Sequence, residues 1–175
     1  MIKEAPWQNR PEARVIGKIL SAFPETTPPD DKSIVAAEPA HLATCDECRD
    51  AQQYFVGKTR EDILYDERNY RHLVNAFDFF TPQTWHYYLP VFLIQDLLRG
   101  RHSFNFFWHQ DEPVVIEGYW LPRVELLTGR QVEALLEYLE SHTAYAEKHG
   151  HELRRIVEWW QSIYEEKSAS IPRRV

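Results

Sequence analysis

The stretch FFTPQTWHYYLPVFLIQDLLRG, residues 79–100, carries the clearest element signal in the chain. Thr81 can cap a helix, Pro82 suits its first position, where no amide hydrogen is needed, and Gly100 suits its exit. Pro90 interrupts this segment, because it removes one donor and crowds the preceding turn, so the spacing predicts a helix that breaks or kinks there. Other stretches repeat the helical period around it. In EARVIGKILSAF, Val15, Ile16, Ile19, Leu20 and Phe23 fall on one face behind Pro11. Residues 39–57 read as one helix with Leu42, Cys45, Cys48, Gln52 and Phe55 on a broad face and Gly57 as its stop. A further helix fits residues 59–76, with Leu73, Val74 and Phe77 as its apolar end.

Thr128 and Gln131 match a capping box and open a helix from Gly129 to about Lys148. Gly150 then separates it from a last helix, in which Leu153, Ile156, Val157, Trp160, Ile163 and Tyr164 form an apolar stripe. These two should pack antiparallel, with His149 and His151 flanking the turn. Strand character is confined to the segment after Gly100, rich in Phe, Val, Ile, Tyr and Trp, where a small β-hairpin fits residues 103–121. The fold class is therefore mainly α, a single-domain helical bundle over residues 1–175. Within it, residues 1–31 supply an N-terminal helix and a Pro-rich linker, and residues 32–175 the main helical body. A chain of 175 residues suits one core better than two.

Composition narrows the function classes. With a formal charge of -7 and a pI near 5.6, nothing attracts the chain as a whole to nucleic acid or anionic lipid. No apolar run reaches the roughly 18–20 residues of a membrane helix, and the first residues lack the apolar segment of a signal peptide. A cytoplasmic location is expected, where two cysteines stay reduced and open to metal or redox chemistry. Phosphate-binding, metalloprotease, nucleophile-elbow and kinase motifs are absent from the sequence.

HLATCDEC, residues 41–48, is the sharpest chemical feature. On one continuous helix, at about 100° per residue, His41, Cys45 and Cys48 would fall within roughly 60° of one another. One imidazole and two thiolates are a ligand set that zinc favours, short of one donor. Two other readings stand beside it: thiols filling an apolar face, and a redox pair. The redox reading is the weakest of the three, since reactive Cys-x-x-Cys pairs sit at helix N-termini, whereas Cys45 lies a turn or more inside the expected helix. The missing donor could come from His72, His86, His102, His109 or Glu38. Trp85, His86, Tyr87 and Tyr88 beside Pro90, with Trp108, His102, His109 and Asp111, could also line a pocket.

The His-x3-Cys-x2-Cys spacing of His41, Cys45 and Cys48 resembles the zinc-binding helix of anti-sigma factors, which implies that these three are ligands. That family takes its fourth ligand from an upstream helix, and residues 12–18 here contain no Cys or His. Over most of its length the chain is similar to an uncharacterised bacterial family. The resemblance is carried by the Ala-Phe-Pro end of the first helix, Cys-x-Glu-Cys at 45–48, Tyr-Tyr-Leu-Pro at 87–90 and the capped C-terminal helix. It implies one mainly helical domain and no particular activity. The expected function is that of a small acidic interaction or regulatory protein, immunity- or inhibitor-like, that binds a protein partner and carries a structural zinc. The alternative is a zinc-dependent metalloenzyme or a thiol redox protein built on the same three residues.

Overall fold

The computed structural model describes residues 7–37, 39–64, 69–99 and 116–169. Nine α-helices succeed one another among them: α1 (Ala13–Ala22), α2 (Pro39–Leu42), α3 (Asp46–Phe55), α4 (Arg60–Leu64), α5 (Asn69–Ala76), α6 (Pro82–Arg99), α7 (Leu121–Glu125), α8 (Gly129–Glu140) and α9 (Thr143–Ala169). The described residues contain no β-ladder, only an isolated antiparallel bridge between Val35 and Phe80. The mainly helical expectation therefore holds. Of the expected hairpin at 103–121, residues 103–115 lie outside the described residues, and residues 116–121 are helical, a single wide π-type turn at Ile116–Trp120 running into α7.

α6 is the hub. It touches α1, α4, α5 and α7, while α1 also packs on α8 and α8 on α9. Thirteen of its eighteen residues are buried, which spreads burial around the whole cylinder instead of along one stripe. Rings supply much of the fill: Phe77 stacks on Phe92 at 4.6 Å, Phe55 meets Phe80 edge-on at 5.0 Å, and Trp85 meets Trp120 at 6.1 Å. Trp120 carries the contact onward to Trp160, and so ties α9 to α6.

Pro90 does not break α6, which runs on to Arg99. The proline withdraws the amide that His86 O would accept. One residue on, Tyr87 O accepts a 2.6 Å bond from Arg60 Nε, and Arg60 Nη1 reaches Phe23 O and Pro24 O at 3.1 and 2.9 Å. The guanidinium thus brackets the disturbed turn to the end of α1.

Two helix boundaries differ from the expected ones. Residues 39–57 form two helices, not one, because the chain turns at Ala43–Thr44 and restarts at Cys45. Near the C-terminus the break falls at Ser141–His142, and α9 continues through Gly150. Ser141 Oγ donates to Tyr138 O at 2.7 Å, and His142 Nδ1 lies 2.7 Å from the same carbonyl, so side chains take the acceptor that another helical turn would use. His149 and His151 therefore lie within a helix and not at a turn. The expected capping box is present: Thr128 Oγ1 accepts from Gln131 N at 3.3 Å, and Gln131 Oε1 accepts from Thr128 N at 2.9 Å. The N-terminal helix packs onto the body: Val15, Ile16 and Ile19 are buried, and Lys18 pairs with Glu133 and Glu137 of α8.

Candidate metal centre

A four-residue helix has too few internal bonds to persist alone, so α2 depends on its junction with α3. Cys45 N donates to His41 O at 2.8 Å, and Thr44 Oγ1 donates to the same carbonyl at 3.1 Å, closing the end of α2. Cys45 then adopts an extended conformation and becomes the N-cap of α3, its Sγ accepting from Cys48 N at 3.5 Å. The turn swings His41 back over α3, so that His41 Nε2 lies 3.4 Å from Cys48 Sγ. One donor atom from each of His41, Cys45 and Cys48 lies within 4.8 Å of the others. The three are close enough to hold a metal ion.

The spacing suits zinc chemistry. With Zn–S of about 2.3 Å and Zn–N of about 2.0 Å at tetrahedral angles, a bound sulfur and nitrogen stand about 3.5 Å apart. The His41–Cys48 pair is already at that separation, and the Cys45 sulfur lies within 4.8 Å of both. His41 is exposed, Cys45 half-buried and Cys48 buried. Burial, reinforced by the neighbouring Cys45 and by Glu47, pushes the Cys48 thiol up to about 11. Without a cation Cys48 therefore keeps its proton, and a coordinated metal would supply the positive charge that a thiolate there requires.

The three side chains face a cleft of about 540 Å³ whose other lining includes Val35, Ala37, Phe79 and Asp78. Asp78 arrives by a long-range route. Ala36 N donates to Phe79 O at 2.7 Å and Thr81 N to Ile34 O at 3.0 Å, which lays residues 34–36 along the start of α6. Tyr119 Oη stands 3.4 Å from Asp78 Oδ1, and the buried guanidinium of Arg123 lies over the Tyr119 ring at 3.6 Å and attracts the same carboxylate. Asp78 is outside the group of mutually close donors but borders the same space. Nothing in the local FDFF sequence marks it, because its position depends on the Val35–Phe80 bridge.

The other expected site residues are placed elsewhere. His72 is exposed and stacks on Tyr54 at 4.4 Å, beside a separate cleft that includes Glu47 and Asp50. His86 is half-buried on α6, its Nε2 3.3 Å from Gln131 Oε1, and it borders another small cleft with Tyr87. Neither joins the cysteines. Trp85 and Tyr88 are fully buried among the core rings, Tyr88 Oη donating to Lys58 O at 2.8 Å. Tyr87 is buried too, and its Oη accepts from Arg60 N at 3.2 Å. Glu38, His102, Trp108, His109 and Asp111 lie outside the described residues. Among the described residues no helix is long and apolar enough to cross a membrane. No family model, no curated protein and no solved structure matches this chain.

Proposed function

We propose that this chain is a zinc-binding interaction protein, in which His41, Cys45 and Cys48 hold one ion that fixes the α2–α3 turn and the acidic surface around it docks a basic protein partner. The observation that carries the metal half is the convergence of one imidazole and two thiols across the join of two helices, one of them only four residues long. The partner half rests on charge: exposed Asp78 borders the centre and exposed Glu47 acts on Cys48, while Asp46 beside them is paired with Arg49, in a chain of net charge -7. Such a field speeds encounter with a basic surface, while contacts between buried side chains would hold the complex. In this role the chain acts as a regulator or inhibitor and not as a catalyst.

The test begins with elemental analysis of protein purified without a metal-affinity tag. About one zinc per chain is expected, lost in the Cys45→Ser, Cys48→Ser variant; a metal-free native protein overturns the zinc reading. Pull-downs at rising salt then address the partner. Retention of a basic protein at low salt and its release at high salt supports docking, whereas recovery of none counts against it.

A second reading is catalytic, and the position of Cys45 favours it. As the N-cap of α3 this residue occupies the place where a reactive Cys-x-x-Cys pair belongs, not the helix interior expected from sequence. The 540 Å³ cleft would also admit a substrate to a zinc ion with an open position. Reversible formation of a Cys45–Cys48 disulfide in zinc-free protein would support the redox form of this reading.

A further inference from the structure

A cleft remote from the cysteines, between α1, α4 and the middle of α6, has a different chemistry. Its cavity of about 280 Å³ is lined mostly by apolar side chains, among them Trp7, Leu20, Phe23, Val91 and Ile94, and its charged lining residues are Glu25, Arg60 and Glu61. Glu25 and Glu61 are exposed and Arg60 is half-buried, so the charged groups mark the mouth. Arg60 spends Nε and Nη1 on the carbonyls of Tyr87, Phe23 and Pro24, and its guanidinium lies 4.7 Å from the Tyr87 ring centre. Among the described residues Nη2 has no hydrogen-bond partner, and no ion pair joins Arg60 to either glutamate. Glu25 attracts the Arg60 guanidinium through space, but neither glutamate pairs with it directly, so one cation with an open Nη2 and two exposed anions border the same apolar cavity.

We propose that this cleft binds a free α-amino acid with an apolar side chain. The carboxylate takes the open Nη2 of Arg60, the ammonium lies toward Glu25 and Glu61, and the side chain rests on Phe23, Val91 and Ile94. A small apolar carboxylate would meet Arg60 but be repelled by the two glutamates. A peptide N-terminus would bring the ammonium and leave Arg60 unmet. Only a ligand carrying both charges on one carbon complements all three side chains. The cavity lies near the lower end of the roughly 300–1,000 Å³ range of ligand sites, in keeping with a ligand of this size. This site is independent of any metal at His41, Cys45 and Cys48.

The experiment titrates the full-length protein with L-leucine while the indole N–H resonance of Trp7 is followed by NMR. Saturable binding is expected, with a Kd on the order of 1 mM or below for so small a ligand. Leucinamide, which lacks the carboxylate, and 4-methylpentanoate, which lacks the ammonium, should each bind at least about tenfold more weakly. Glu61→Gln, at an exposed position of α4, should lower leucine affinity toward that of 4-methylpentanoate. Arg60→Gln should lower it toward that of leucinamide, and Glu61→Gln carries the test alone if loss of the Arg60 bracket prevents folding. Shifts that never saturate, or equal binding of leucine and either analogue, overturn the proposal.

Discussion

Tyr138→Phe offers a direct measure of the polar network buried between α6 and α8. Tyr138 Oη donates to Asp96 Oδ2 at 2.8 Å, and His142 Nε2 lies 3.3 Å from the same oxygen. The exposures of Asp96, Tyr138 and His142 are 0%, 0% and 3%, so water cannot replace a lost bond. His142 Nδ1 lies 2.7 Å from the Tyr138 carbonyl, so the ring is held at both nitrogens, by that carbonyl and by Asp96. Removing one hydroxyl oxygen opens no sizeable cavity, so the cost is that of the hydrogen bond. It is about 1 kcal/mol if Asp96 is neutral, and about 1.5–3 kcal/mol if Asp96 is a carboxylate. For a chain of 175 residues the unfolding entropy is about 370 cal/mol/K, so a loss of 2 kcal/mol lowers Tm by about 5 °C. Calorimetry reads the Tm, and urea titration should show a lower midpoint with an unchanged slope. A loss below about 0.5 kcal/mol would refute the Tyr138–Asp96 bond as a source of stability and leave the contact of Asp96 with His142 as the one that matters. Coupling to Asp96→Asn in a double-mutant cycle then separates the pair from background packing.

Asp78→Asn removes a negative charge bordering the cleft without touching any of the three donors, so zinc affinity measured against a competing chelator should fall about two- to threefold through lost attraction; unchanged affinity would separate Asp78 from the centre. His86 supplies a pH dependence. Burial, aided by the charge of Arg60, holds its imidazole below the usual range despite the bond to Gln131, so the folded state takes up a proton less readily than the unfolded one. Its contribution is complete above about pH 6.5 and is lost as pH falls from there through the lowered folded value. The Tm of the native protein should therefore drop more steeply between about pH 6.5 and 5 than that of His86→Gln. Parallel profiles would show that His86 does not titrate with folding.

Helices were legible where a face repeated or a cap was spelled out. Val15, Ile16 and Ile19 set the buried side of α1, and Thr128 with Gln131 fixed the start of α8, since both signals depend on residues within one or two turns. The ends of α2 and α8 were not legible. Thr44 and Ser141 fit a helical pattern, yet each turns its hydroxyl onto a carbonyl three residues back. At Ser141 the choice is reinforced by Asp96, 46 residues from His142, which no local pattern can anticipate. Gly150, the most conspicuous breaker in the sequence, costs a helix only about 1 kcal/mol, which packing of the long α9 against α8 can absorb.

The candidate centre shows the same division in one place. The residues His41, Cys45 and Cys48 could be picked from spacing, but the geometry assumed for them was wrong in a way that matters. On a single helix the three would be a preformed face, and a metal would add little to the backbone. Here a non-helical turn lies between His41 and Cys45, and Cys45 is the N-cap of a new helix. Any ion gripping both sides of that turn restricts the torsions that an empty turn leaves free, and the ordering of α2 and the binding of metal then become one linked equilibrium. The reverse also holds. A bond that joins only Cys45 to Cys48 closes a loop within the first turn of α3 and leaves His41 untethered, so metal and disulfide would leave α2 in different states from the same two thiols.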